Sequence, residues 1–414
     1  MDFSDSPQEA AFRVEARAFL ESVAERRKPG EVLGYRRGQE RPGALEAAKA
    51  FQARKYAAGF AGIAWPKEWG GRGGTAIQQV IYSQEEAQFN VIPWFFSSSL
   101  GLLIPTICAC GTQEQRERFA PPALKGEEVW CQLFSEPGGG SDLAALRTRA
   151  ERDGDDWVIN GQKIWTSGAH YANFGCLVAR SDPSVPKHKG LTYFWLDMKT
   201  PGLEIRPIKQ MSGSRHFNEV FFTDVRIPDS QRIGAIGDGW KVSITTLMNE
   251  RHMTGDAPGP DVSELIDLAR GIETEHGTAL DDPAVQERIA EFYVRTQGLR
   301  FTKFRTMTAL SRGETPGPQS SVGKLVTASK LQDITSYGLD LLGMAGGDTS
   351  PDMPLNGIFE EALFYSPALR IAGGTDEILR NIIAERVLGL PADMRVDKDL
   401  PFNEIPTGPR RGER

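Results

Sequence analysis

A β-prone block sits between two stretches of helical texture, and that order is the strongest constraint on the fold. From residue 129 to about 235, short apolar runs alternate with turn residues. The runs include 129–134, 147–150, Trp157-Val158-Ile159, residues 163–166, 191–196 and 220–227. Asp153-Gly154 and Asn160-Gly161 punctuate them, and Asn-Gly between two β-prone runs reads as a hairpin turn. A block of this size suits a single barrel or sandwich. Before it, Phe12, Ala16, Phe19, Leu20 and Val23 recur at helical spacing, and residues 44–60 and 76–88 continue that texture. Thr112-Gln113-Glu114-Gln115 reads as a capped helix start. After Gly237-Asp238-Gly239 the helical spacing returns with Trp240, Ile244, Leu247 and Met248. Residues 285–311 and 321–342 are long enough for bundle helices, and 376–388 reads as the last helix. The tail from Pro391 is polar and rich in proline, so it is expected to fray.

Composition removes several classes. A net charge of −7 without a long basic block argues against nucleic acid as the main partner. Four cysteines are too few for a disulfide scaffold in 414 residues, and a reducing, cytoplasmic setting is expected. Five scattered histidines with no CxxC or HxxxH predict no metal centre. Residues 91–113 carry no charge and are long enough to cross a bilayer. Pro93, Pro105 and Ser97-Ser98-Ser99 break up that stretch, so a buried helix lining a cavity is the reading and no membrane span is expected.

Four motifs carry chemistry. The first is Phe134-Ser135-Glu136-Pro137-Gly138-Gly139-Gly140-Ser141-Asp142. A glycine run lets backbone N–H groups approach an anionic ligand, although a plain turn has the same composition. In the second, residues 157–167, Trp165 could stack on a flat cofactor while the Thr166 and Ser167 hydroxyls bond its heteroatoms. A core tryptophan in a hairpin is the competing account. In the third, Ser243, Leu247, Glu250 and Thr254 share one helix face. Glu250 could act there as a base, with Arg251 anchoring an anionic substrate; an exposed charged pair fits the same pattern. The fourth, residues 372–381, opens a helix behind Gly373-Gly374-Thr375, either as a simple cap or as a phosphate-facing helix start.

Taken in order, these segments resemble the acyl-CoA dehydrogenase family from about Phe12 to Pro391. The resemblance rests on Ser-Glu-Pro-Gly-Gly-Gly-Ser-Asp at 135–142 and Asn-Gly-Gln-Lys-Ile-Trp-Thr-Ser-Gly-Ala at 160–169. It continues through Phe-Asn-Glu-Val-Phe-Phe-Thr-Asp-Val-Arg-Ile-Pro at 217–228 and Gly-Gly-Thr-Asp-Glu-Ile-Leu-Arg-Asn at 373–381. It implies an α+β multidomain fold: an N-terminal helical domain over 1–128, a middle β-barrel over 129–236, a C-terminal four-helix bundle over 237–395 and a polar tail over 396–414. It also implies FAD, an acyl-CoA substrate oxidised to a trans-2-enoyl-CoA in lipid β-oxidation, and an electron-transfer flavoprotein as acceptor. By position, Phe134, Ser135, Ser141, Trp165, Thr166 and Ser167 would line the flavin, with Ser141 also meeting the substrate. Thr375 and Glu377 would reach an FAD, and Arg251 matches a family arginine near the substrate. Burial beside an acyl chain would raise the pKa of the catalytic carboxylate and favour α-proton abstraction.

Two departures sharpen the resemblance. The usual base is a Glu immediately before Gly-Thr in the last motif, where this chain has Gly373. A minority acting on branched or bulky acyl groups places the Glu on the helix after the barrel, where Glu250 stands directly before Arg251. The Arg-x-x-Phe-Gly element of many homotetramers, which reaches a neighbour's FAD, is absent. The assembly is therefore expected to be either a homo-oligomer or a heterotetramer with an unlike dehydrogenase subunit. A mainly structural subunit completing a partner's FAD site is the first alternative, and a flavin oxidase on the same fold is the second.

Overall fold

The computed structural model describes residues 5–27, 41–253, 259–311, 317–318, 320–348, 350, 353–392, 394 and 397–406. Along the chain the first helices are α1 (Pro7–Val23), α2 (Ala44–Ala57), α3 (Ala76–Glu86), α4 (Ile104–Cys110) and α5 (Gln113–Lys125). The strands follow: β1 (Trp130–Leu133), β2 (Arg149–Asp153), β3 (Asp156–Ser167), β4 (Phe174–Arg180), β5 (Leu191–Asp197), β6 (Leu203–Pro207), β7 (Phe217–Pro228) and β8 (Arg232–Ile233). Then come α6 (Gly239–Met253), α7 (Val262–Gly271), α8 (Pro283–Ser311), α9 (Ser320–Leu341), α10 (Ile358–Leu369) and α11 (Asp376–Arg386). Helical, β, then helical is the order expected from the sequence. The chain packs as two compact units, each built from separated stretches: Met1–Trp94 with Arg251–Pro391, and Phe95–Glu250 with Ala392–Arg414.

In the first unit, α1 begins at a capping box in which Ser6 and Glu9 satisfy each other's backbone N–H. Its apolar stripe of Phe12, Ala16 and Leu20 buries against Phe51, Phe60, Ile63 and Tyr82. The buried Glu85 carboxylate on α3 receives Arg17 at 2.8 Å and Arg13 at 3.1 Å, which ties α3 to α1. A second core joins Leu265, Phe292, Leu331, Ile334 and Phe359 across α7 to α10. Asp261 caps α7 and also accepts from Thr296 of α8 at 2.8 Å and Lys330 of α9 at 2.9 Å. Helices α9 and α10 approach at Gly338, where a Cβ would lie 2.3 Å from the Phe359 ring.

The second unit holds one eight-stranded sheet in the order β6-β7-β3-β2-β4-β5-β8, with β1 parallel to β4. Its core includes Leu133, Ile159, Leu177, Phe194, Val220 and Ile227. Among the described residues, Pro93–Cys110 is the window long and apolar enough to cross a membrane, and half of it is buried. Its part within this unit packs on the sheet: Ser99 accepts from the Trp130 N–H at 2.8 Å. A π turn over Ser99–Leu103 leads into α4. Thr106 of α4 meets Thr246 of α6 at 3.0 Å, and Thr246 meets the Tyr193 hydroxyl at 3.1 Å. The expected cap of α5 is present, with Thr112 and Gln115 forming a capping box.

Two expectations fail. Asn160-Gly161 is no hairpin turn, because β3 runs straight through it and the β2–β3 turn is at Gly154-Asp155. The pairing of β3 with β7 shifts register there, and Asn160 exchanges two 3.0 Å hydrogen bonds with Asp224 of β7. Gly161 is required by crowding: a Cβ would sit 2.6–2.8 Å from Thr148. Nor does the whole tail fray. Residues 397–406 dock on the β4–β5 connection, with the Phe402 N–H donating to Val185 O at 2.9 Å and the Asn403 N–H to Pro183 O at 3.0 Å.

Candidate functional site

The glycine-rich loop and the far half of β3 form one hydrogen-bonded assembly. The Ile164 N–H donates to Ser135 O at 2.9 Å, and the Lys163 ammonium donates to Phe134 O at 2.9 Å. Lys163 also donates to the Glu136 carboxylate at 2.8 Å. The same carboxylate accepts the backbone N–H groups of Arg147 at 2.6 Å and Thr148 at 2.8 Å. Glu136 thus closes the loop onto both the start of β2 and the middle of β3.

Burial and charge compete at this pair. Burial pushes the Glu136 pKa up, but the Lys163 charge and three hydrogen-bond donors outweigh it, and the carboxyl stays below its ordinary 4.5. Lys163 is fully enclosed, and desolvation brings it down to about 8 despite its anionic partner. Neither residue stands among the site residues that the sequence suggests. Alternation along β3 could have flagged Lys163, since it falls on the inward face with Trp157 and Ile159.

Beyond Lys163 the strand bulges. The β3–β7 register shifts between Lys163 and Thr166, and Trp165 adopts φ 60°, a left-handed conformation unusual for a bulky residue. The bulge reverses the alternation: Trp165 turns outward, 55 % exposed, and Thr166 turns inward. The Trp165 ring stands edge-on to Phe217 at 5.8 Å. Thr166 is buried, and its hydroxyl has no hydrogen-bond partner among the described residues. Its carbonyl accepts from Asn218 at 2.9 Å, and Asn218 also donates to His216 O at 3.0 Å. Asn218, fully buried on β7, fixes the bulge, a role that its place in the 217–228 motif does not reveal.

The remaining expected residues fall as follows. Phe134 is buried edge-on to Tyr193 at 5.8 Å, and Ser135 is half-buried. Ser141 and Ser167 are exposed. Gly138, Gly139 and Gly140 have no left-handed φ, and a Cβ at Gly138 or Gly140 would meet nothing within 4 Å. Neither backbone conformation nor packing among the described residues therefore demands this glycine run. Glu250 and Arg251 lie in the last turn of α6, but their side chains, like all of Thr254, are outside the described residues. Thr375 and Glu377 lie in the other unit. Thr375 caps α11, accepting from the Ile378 N–H at 3.2 Å, behind Gly373 and Gly374, both at positive φ. Glu377 is exposed, 3.8 Å from Arg380. Among the described residues no cluster of His, Cys, Asp and Glu could hold a metal.

The loop-and-bulge assembly leaves a backbone-lined glycine run, an exposed aromatic ring and a buried, unsatisfied hydroxyl. These are the groups needed to hold a flat heterocycle and to bond its edge.

Three family models match the chain: the acyl-CoA dehydrogenase N-terminal domain over 6–127, the middle domain over 131–225 and the C-terminal domain over 237–388. Acyl-CoA dehydrogenase IpdE1 of Mycobacterium tuberculosis (strain ATCC 25618 / H37Rv) is 39 % identical over 359 residues, covering 85 % of this chain and 90 % of that protein. Acyl-CoA dehydrogenase FadE34 of the same organism is 41 % identical over 339 residues, covering 79 % of this chain. The match covers 44 % of FadE34, so the chain spans under half the length of that relative. The solved structure titled Tcur3481-Tcur3483 steroid ACAD superposes with a TM-score of 0.79 at 29 % identity, covering 95 % of this chain and 100 % of that one. A chain of the ChsE4-ChsE5 complex from Mycobacterium tuberculosis superposes with a TM-score of 0.76 at 29 % identity, covering 95 % and 100 %.

Proposed function

The chain belongs to the acyl-CoA dehydrogenase family of oxidoreductases, and we propose that it oxidises the Cα–Cβ bond of a bulky acyl-CoA to a trans-2-enoyl-CoA. The observation that carries the reading is the bulge on β3, which turns Trp165 outward and leaves the buried Thr166 hydroxyl without a partner among the described residues. The group that fits these residues is FAD, and when bound it supplies the acceptor for the hydride leaving Cβ. Trp165 offers a stacking face, and the hydroxyls of Thr166 and Ser167 offer hydrogen bonds to ring heteroatoms. Phe134 and Ser135 fix the loop that flanks the ring, and the glycine run leaves room for close backbone approach by FAD or acyl-CoA near Ser141. Thr375 and Glu377, at the start of α11, are proposed to meet an FAD, either that of a neighbouring subunit or this chain's own.

Glu250 is the base that takes the α-proton, and Arg251 holds an anionic part of the substrate. The support is positional: Gly373 occupies the usual base position, and Glu250 stands at the alternative one. The test is an anaerobic titration with a panel of acyl-CoAs, following the flavin absorption band. Bleaching by branched, cyclic or steroid-derived thioesters is expected; no bleaching by any acyl-CoA overturns the reading. Glu250→Gln should keep FAD and lose enoyl-CoA formation, and full activity in that variant removes the base assignment.

A second reading is favoured by the missing Arg-x-x-Phe-Gly element: the chain acts within a heteromer, mainly completing the FAD site of an unlike subunit. One structural relative is titled a complex of two named proteins, ChsE4 and ChsE5. FAD retention by the chain purified alone separates the two readings. In either case the natural electron acceptor is proposed to be an electron-transfer flavoprotein. Peroxide production in air at a rate matching substrate use would instead indicate an oxidase.

A further inference from the structure

We propose that residues 397–406 are a positioning strap for the glycine-rich loop, and that Phe402 sets how firmly that loop holds the flavin. The proposal rests on the assignment of residues 134–142 to the cofactor.

The strap reaches the loop through Arg180 and Lys187. Arg180 is buried at the end of β4 and donates to the carbonyls of Ala144, Leu146 and Lys187. Two of those carbonyls belong to the turn directly after the glycine run. The open face of its guanidinium is covered by the Phe402 ring, with the Arg180 Cζ 3.6 Å from the ring centroid. Burial pulls Arg180 down to about 10, while Glu136, Asp142 and Asp182 oppose that fall. The guanidinium is thus held charged in a dry place where a π face replaces lost water. Removing the ring reopens it to solvent and weakens its hold on Ala144 and Leu146.

Lys187 forms the second route. It donates to Asp142, the last residue of the motif, at 2.7 Å and to Asp397 of the strap at 2.6 Å. Asp142 is 55 % exposed, so this bridge is screened by solvent and is the weaker route. The backbone contacts of Phe402 and Asn403 with Val185 and Pro183, and the pairing of Pro186 with Pro401, seat the strap on the same connection. Phe402 is therefore the dominant positioning residue, and Asp397 is secondary.

The test uses the full-length protein with FAD and four variants: Phe402→Ala, Phe402→Leu, Phe402→Tyr and Asp397→Asn. Hydrogen exchange over 135–146 and the FAD dissociation constant from flavin fluorescence are measured together. Phe402→Ala should speed exchange over 135–146 and weaken FAD binding about tenfold. Phe402→Leu keeps apolar bulk but lacks the π face, and should fall between Ala and wild type. Phe402→Tyr should restore both readouts, and Asp397→Asn should shift affinity by less than about threefold. Unchanged exchange in Phe402→Ala overturns the proposal, and so does faster exchange with unchanged FAD affinity. Protection of 135–146 by FAD in the wild type checks the underlying assignment separately. Its absence removes the flavin reading, whereas its presence with an unresponsive Phe402→Ala removes the strap alone.

Discussion

At the scale of single residues, the candidate site is marked by groups whose needs the other described residues leave unmet. Thr166 is the clearest case, since a buried hydroxyl without a partner costs about 1–3 kcal/mol. Thr166→Val keeps the shape and removes the cost. The cofactor-free protein should therefore melt at the same temperature or higher, while FAD affinity falls about five- to tenfold. Calorimetry and a fluorescence titration check both arms, and an unchanged affinity would place the hydroxyl outside the flavin site. Glu136 behaves in the opposite way, with every need met. Its pKa is below 4.5 in the folded chain, so its contribution is complete above that value and is lost as pH falls through the folded pKa. Melting temperatures from pH 3 to 7 should show an acid-side decline that flattens in Glu136→Gln. That variant should be less stable at pH 7 by roughly 3 kcal/mol, because Lys163 is left buried without its counter-charge.

At the scale of elements, close approach outranks propensity. Gly338 lies inside α9, where alanine would ordinarily gain about 1 kcal/mol. A Cβ there would sit 2.3–2.4 Å from ring carbons of the buried Phe359. Gly338→Ala should therefore destabilise by about 1–3 kcal/mol in urea melts, and a gain in stability would mean that α10 can shift aside. The same contrast explains what the sequence could reveal. Helix starts were legible because caps are local: Thr112 with Gln115 needs only four consecutive residues. The strands expected over 191–196 and 220–227 were legible as short apolar runs bounded by turn residues. Asn160-Gly161 misled because its geometry is set by Thr148 and Asp224, which no local pattern reveals. Trp165 and Thr166 were visible as candidates, but the reversal that turns one out and the other in depends on pairing with β7. The docking of Phe402 on Arg180 joins residues more than two hundred positions apart, beyond the reach of periodicity.

At the scale of the whole molecule, the two units differ in how the chain supplies them. Most of the β unit is the continuous stretch Phe95–Glu250, whereas the helical unit joins Met1–Trp94 to Arg251–Pro391 across it. Packing of α3 against α8 must wait for a long loop to close, while β3 and β7 lie nearer in sequence. In pulsed hydrogen exchange during refolding, β3 and β7 should gain protection before α3 and α8. Simultaneous protection would mean that the units fold as one cooperative body. The division also passes through α6, which runs over Gly239–Met253 while the boundary falls between Glu250 and Arg251. Two neighbours in sequence are thus assigned to different units by a single uninterrupted helix. For recombination between relatives this places the crossover in the worst position: a chimera cut at the unit boundary inherits its acid from one parent and the adjoining arginine from the other. Shuffled libraries should retain function when the junction is moved back to the glycines at 237 and 239, so that the helix travels whole.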